Sequence, residues 1–482
     1  MPVWLSNLLP IVLLLGAIGL VLTRLPKVDL GHSEAFTRRR FWNWFPLGMT
    51  YAFLYFGRYN INEATSAIKQ LDNAAFGTIF AVGAWVYGCS FLINGPLTDK
   101  LGGRLTILIS AVGSAFSNLA MGGLVYAVVG NGWVPPGGLQ LWLSVLYGVN
   151  MYFQSFGAVS IVKVNAAWFH VRERGQQGGV FGILISLGIY FGYDWSRMIV
   201  KGNPESPWLV FFIPALILLA VFAADLFLVK DSPSQAGHKD FDLGDASTHD
   251  AAGENPTAAQ VFLKMLRNPV IMIIVAIEFC TGFLRNGVMS WYPKFAKAVS
   301  LQDDFVSKNW GLLLCVFGIV GGMFAGVISD RVFHSRRGPV ASVLYAGIAA
   351  GAVGMFFFLE QAWVGWILVF MALNYVGVHG MLSGTASADF GGKKNTGVAV
   401  GIIDGFVYLG TGLQSLIVGS VLPQGDAAKV AANWISWPMA MVPMALIGLA
   451  LCTRVWNAKP QARPVESSPP VALQPANGPV EP

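Results

Sequence analysis

A chain of 482 residues that is 55% hydrophobic and only 12% charged is not an ordinary soluble domain, in which about a quarter of residues are charged. The net charge of +6 does not point to nucleic acid, because the basic residues sit mostly in short loops between apolar runs. Cys89, Cys280, Cys315 and Cys452 all fall inside those runs and read as small buried hydrophobes, not as a disulfide set or a metal site.

About 20 apolar residues are needed for a helix to cross the hydrocarbon layer. In chain order the first such segment is 3–23. "MPVWLSN" lacks a basic leader and "GLVLTRLP" lacks a small-residue cleavage site, so we read an extra N-terminal transmembrane helix and not a signal peptide. Six spans follow near 41–66, 76–98, 104–128, 138–163, 174–198 and 207–229. A polar stretch rich in turn residues, "KDSPSQAGHKDFDLGDASTHDAAGENPTAAQ", comes next and reads as a solvated linker. Six more spans lie near 268–295, 309–330, 339–359, 363–386, 396–420 and 432–455. The expected organisation is an extra helix and basic linker over 1–37, a six-helix bundle over 38–230, a cytoplasmic linker over 231–267, a second bundle over 268–457, and a disordered Pro-rich tail over 458–482. Lys and Arg concentrate in loops on the linker's side of the spans, which predicts a cytoplasmic linker and C-terminus in a plasma (inner) membrane.

Two charged residues interrupt the apolar pattern at matching places. Arg58 lies in "YAFLYFGRYNIN", 16 residues past Trp42; Arg285 lies 16 residues past Pro269. An Arg near a span centre costs ~2.5–3.5 kcal/mol on insertion scales, so both need compensation. Tyr51, Tyr55, Arg58 and Asn62 step by 4, 3 and 4 and share one helix face. A guanidinium fork suits an oxyanion, and two forks from opposite halves would clamp one small anionic substrate. The competing reading is neutralisation by carboxylates nearby in sequence: Glu63 for Arg58 and Glu278 for Arg285.

The halves repeat. "GPLTDKLGGRLTIL" after the second core span has a counterpart in "GVISDRVFHSRRGPV" after the eighth, and "GVFGILISLGIYFG" aligns with "GVAVGIIDGFVYLG". Parallel six-helix repeats are a transporter signature, with the substrate site between the halves. The Gly-x-x-x-Asp loops resemble motif A of the major facilitator superfamily, which implies a conformational latch at Asp99, Arg104, Asp330 and Arg331. More narrowly, "YFGRYNI", "FQSFGAVSIVKVNAAWFHVRERG", "FLRNGVMSWYPKF" and "ADFGGKKNTGVAVGIIDGFVYLG" resemble the organophosphate:phosphate antiporters, including glycerol-3-phosphate and hexose-phosphate transporters. The resemblance spans roughly 38–455 and implies that Arg58 and Arg285 hold the substrate phosphate. It also implies that Lys163 fills a basic position facing incoming anions; an ordinary charge at a helix end is the alternative.

The sequence departs from that family in three places. No histidine stands near Ile185 and Ser186, Tyr59 replaces the lysine after the first arginine, and Asp404 occupies a position where a small residue is usual. Asp404 shares a face with Tyr408, Thr411 and Ser415. It has three open roles: neutralising an arginine, carrying a coupling proton, or contacting a cationic substrate group. His379, with Ser383 one turn on, is either a packing residue or a proton relay. Asn150 and Gln154 share a polar face, and Tyr190 and Tyr193 line either the cavity or an interfacial belt. No P-loop, G-x-S-x-G or soluble metal-ligand cluster is present, so neither an enzyme nor a cofactor is expected. The expected fold is an all-α membrane protein of two six-helix bundles, acting as a monomer in the lipid bilayer. The expected function is secondary transport of a small organic anion by alternating access, coupled to inorganic phosphate or to protons. The alternative of another class is a transporter-like sugar-phosphate sensor.

Overall fold

Apolar runs with polar punctuation produce helices throughout. The structure, a computed structural model, describes residues 31–170, 173–241, 258–333, 336–386 and 396–457, and every regular element among these is helical. Six long helices precede the linker: α1 (Glu34–Ala67), α2 (Asn73–Leu101), α3 (Gly103–Val125, continuing to Gly130), α4 (Gly138–Trp168), α5 (Arg174–Tyr190, continuing to Gly202) and α6 (Leu209–Leu228). Six follow it: α7 (Pro269–Met289, continuing to Ala298), α8 (Trp310–Arg331), α9 (Arg337–Phe358), α10 (Trp363–His379, continuing to Ala386), α11 (Thr396–Val421) and α12 (Ser436–Arg454). The expected helix at 3–23 and the tail after 458 lie outside the described residues.

Side chains start several of these helices. Ser33 Oγ accepts from the Phe36 N–H at α1, Asp72 from Ala75 at α2, and Asn268 from Val270 and Ile271 at α7, where Pro269 occupies the first turn. Nine of the described helices are long and apolar enough to cross a membrane. Helix α1 is not among them, because Arg58, Glu63 and a row of Tyr and Asn dilute its apolar run. The described part of α8, Trp310–Gly326, is a further apolar helix.

Within the first half α1 packs on α5 and α6, and α4 packs on α2 and α3; within the second, α7 packs on α11 and α12, and α10 on α8 and α9. The halves meet along α2–α11 and α5–α8. Small residues allow the α2–α11 approach. A Cβ on Gly77 would run into the Ser415 backbone oxygen, and one on Gly88 would lie 2.8 Å from the Gly405 oxygen.

The polar contacts joining the halves sit at mid-depth and at the end opposite the linker. There, Lys294 Nζ donates to Thr65 (2.9 Å) and Ser66 (3.2 Å), Lys297 to the Ser66 carbonyl, and Arg197 to the Ser307 carbonyl. Asp194 of α5 accepts from the N–H groups of Gly311 (2.8 Å) and Leu312 (2.9 Å), so it caps α8 from across the interface. At the linker end the described ion pairs, Arg40–Glu173 (3.0 Å) and Lys163–Asp99 (2.8 Å), stay within the first half.

Candidate functional site

Where α1 crosses α4, a chain of amides replaces apolar packing. Asn150 Nδ2 and Asn118 Nδ2 donate to the Gly57 carbonyl, Ser114 donates to Asn150, and Gln154 Nε2 donates to Ser114. This network fixes Gln154, whose Oε1 then accepts from Arg58 Nε at 2.8 Å. The guanidinium is 1% exposed, with Cζ 4.5 Å from the Tyr55 ring centre and 4.3 Å from that of Tyr87. Nη1 donates to the Tyr408 hydroxyl at 2.7 Å, while Nη2 has no partner.

Tyr408 belongs to α11 of the second half, and its ring is also 5.5 Å from Arg285 Cζ, against 5.8 Å from Arg58 Cζ. Arg285 is half-buried on α7 and makes no hydrogen bond or ion pair among the described residues. Two cations, one from each half, therefore flank a single phenol. Aromatic faces and neutral acceptors stabilise them in part, but among the described residues no carboxylate pairs with either. Charge, a free guanidinium edge and desolvation are the features that chemistry associates with oxyanion recognition.

The carboxylates nearby in sequence go elsewhere. Glu63 pairs with Arg197 at 3.5 Å, near the end opposite the linker. Glu278 is fully buried and meets His379 Nδ1 at 3.0 Å. Asp404 accepts from the Ser383 hydroxyl and forms no ion pair with either arginine. Neutralisation of the arginines by these three residues, expected as one reading of the sequence, is thus absent. Five residues separate Arg58 from Glu63, which turns them to different helix faces, and Glu278 lies two turns from Arg285.

Of the other expected residues, Tyr55 lies under Arg58 and Tyr51 packs edge-on against Tyr55 at 5.3 Å. Asn62 turns its amide back to the Tyr59 carbonyl. Lys163 reaches Asp99 on the exposed linker end and does not enter the arginine site. Arg104 sits behind the turn at Gly102 (φ +86°): its N–H donates to Asp231 and its guanidinium to the Leu226 carbonyl. Arg331 is exposed at the end of α8, and the Asp330 side chain lies outside the described set. Thr411 and Ser415 face α7, bonding the Gly282 carbonyl and Asn286. Tyr190 and Tyr193 are buried, Tyr193 stacking on Tyr59 at 5.5 Å, so they form no interfacial belt. Sequence reasoning missed Tyr87 and did not place Tyr408 or Gln154 on an arginine. Tyr408 was visible only as a polar position on the face of Asp404.

This is the architecture of a multi-pass membrane transporter: two helical halves with a charged site between them. The profile of the Major Facilitator Superfamily matches residues 47–415, and the chain belongs to that superfamily of non-enzymatic transporters. Among curated proteins it is 24% identical to the glycerol-3-phosphate transporter of Bacillus subtilis, over 91% of this chain and 97% of that one. It is 23% identical to a probable hexose phosphate transport protein of Chlamydia pneumoniae, covering 85% of this chain and 89% of that one. It is also 24% identical to the membrane sensor protein UhpC of Salmonella typhimurium, covering 81% and 87%. Among solved structures, an inward-facing bacterial homolog of the human lysosomal transporter Spinster aligns with a TM-score of 0.66 at 12% identity, covering 89% of this chain and 98% of that one. A D-xylose-proton symporter aligns at 0.61 with 17% identity, covering 86% and 97%. At these identities the solved structures speak to the fold alone.

Proposed function

We propose that the protein carries a small phosphate-bearing or related organic anion across the membrane by alternating access, with Arg58 and Arg285 as the clamp. The observation that carries this reading is the pair of guanidiniums, one from each half, sharing the Tyr408 ring without a carboxylate. The names of the curated relatives, transporters of glycerol 3-phosphate and hexose phosphate, support the same substrate class.

The chemistry is recognition and movement. An oxyanion entering from the linker end takes the free Nη2 of Arg58 and the unpaired guanidinium of Arg285. It offsets two desolvated charges and draws the halves together. Opening the other side then requires release of the Lys294, Lys297, Arg197 and Asp194 contacts. In this reading the linker and C-terminus face the cytoplasm, and Asp99, Arg104, Asp330 and Arg331 belong to the linker-end latch. Uptake of phosphate, phosphate esters, phosphonates and carboxylates into proteoliposomes tests it. Saturable uptake of at least one class supports the reading, and none for any class contradicts it. A second reading, a transporter-like sensor, is favoured by the likeness to the membrane sensor protein; binding without uptake would select it.

A further inference from the structure

Helices α7 and α10 hold an ionisable pair that the anion site does not use. Glu278 is fully buried; its Oε2 meets His379 Nδ1 at 3.0 Å, and its Oε1 has no hydrogen-bond partner. A desolvated carboxylate with half its acceptor capacity empty is costly to hold without a partner. His379 is the member that solvent reaches: 27% of its side chain is exposed, against none of Glu278. The histidine ends the regular part of α10, where the helix widens through Gly380–Ala386. Widened turns of this kind recur at functional sites.

The groups around the pair set its charge balance. The imidazole feels Glu278 and Asp404 as anions and Arg285 as a cation. Tyr345 of α9, Cys452 of α12 and Cys280 of α7 stand near the Glu278 carboxyl, and none of them brings a positive charge. The imidazole thus lies between two carboxylates that attract a positive charge and one guanidinium that repels it. An anion at Arg285 cancels that repulsion, and the pair gains affinity for a proton. Arg285 lies seven residues from Glu278 on the same helix, about 10 Å along the axis. At an effective dielectric of about 20, one unit charge at that distance changes proton affinity on the order of tenfold. Coupling is reciprocal, so the proton strengthens anion binding by the same factor.

We propose that the Glu278–His379 pair is the proton-binding site of this transporter and loads one proton with each anion held at Arg58 and Arg285. The proposal rests on the anion-transport reading above and places the proton on α7–α10, not on Asp404. His379 takes a proton from water on one side and holds it against the Glu278 carboxylate. After the halves rock, it returns the same proton to water on the other side, with no bond to the anion formed or broken.

The test uses the purified full chain in proteoliposomes, with labelled inorganic phosphate and glycerol 3-phosphate as probes. Two quantities are read for each variant: counterflow exchange at equal pH, and net uptake under an inward proton gradient of about two pH units. The expected result is a rise of roughly tenfold in wild-type uptake with the gradient. Glu278→Gln and His379→Gln should each abolish that rise while keeping most counterflow, and Asp404→Asn should keep counterflow and a reduced but measurable rise. Should Glu278→Gln fail to fold, His379→Gln decides, because its partly exposed position tolerates exchange. Wild-type counterflow without any gradient response overturns the proton site and leaves anion transport standing. A gradient response that survives in His379→Gln, or is lost only in Asp404→Asn, also overturns it. Absence of counterflow with both probes overturns this proposal; the anion-transport reading falls with it only when phosphonates and carboxylates fail as well.

Discussion

Arg58 carries the densest set of interactions at the residue scale. Its fork is held by Gln154 and Tyr408 and sandwiched between Tyr55 and Tyr87, leaving Nη2 free. Lysine would keep the charge but lose the planar fork and its stacking. Arg58→Lys and Arg285→Lys should each lower transport by at least tenfold with little change in expression; initial uptake rates against protein level check this. Tyr408→Phe keeps the ring between the guanidiniums and removes the acceptor for Nη1. A buried donor left unsatisfied costs about 1–3 kcal/mol, so this variant should be less stable by that amount, measured by thermal melting. The arginines themselves were legible in the sequence, because a charge in an apolar run has few explanations. Their partners were not. Gln154 is 96 residues away and Tyr408 is 350 away, and no periodicity within one helix reports a contact between helices. The same blindness made Glu63 and Glu278 look like partners by proximity, whereas helix rotation turns them to Arg197 and His379.

At the scale of elements, the end opposite the linker is sealed by helix ends that lend groups to each other. Asp194 caps α8 in place of a residue of its own chain segment, and Asn309 provides no side-chain cap. Loss of a cap costs ~0.5–2 kcal/mol, a shift of roughly two- to thirtyfold in any equilibrium that breaks it. Asp194→Ala should therefore speed labelling of a cysteine placed at the buried Ser307 by a membrane-impermeant maleimide, in a background with the exposed Cys89 replaced by Ser. An unchanged labelling rate would remove Asp194 from the seal. The approximate positions of twelve helices followed from apolar runs and turn residues. The wide-turn stretches at Phe191–Trp195 and Gly380–Ala386 did not, because extra backbone turns leave no compositional mark. Gly77 and Gly88 acquire meaning only once α2 lies against α11.

At the scale of the whole molecule, alternating access needs contacts that hold one state without locking it. At the linker end Asp99 and Lys163 pair within the first half, and both side chains are well exposed. An exposed pair contributes about 0–1 kcal/mol, so Asp99→Asn should leave the melting temperature nearly unchanged. Any loss of transport in that variant then reports on the balance of states and not on folding. The two-half plan was readable from the repeated Gly-x-x-x-Asp loops, since motifs recurring in the same order in both halves carry over to corresponding places in two bundles. The account as a whole depends on an anion resting between Arg58 and Arg285. Ligand-induced stabilisation of the purified protein tests this most directly, with inorganic phosphate, phosphate esters, phosphonates and carboxylates as ligands, because binding to the native state raises stability as RT ln(1 + [L]/Kd). The account predicts a concentration-dependent rise with at least one of these ligands in the wild type, and its loss in both Arg58→Lys and Arg285→Lys. An equal rise in all three proteins would contradict it.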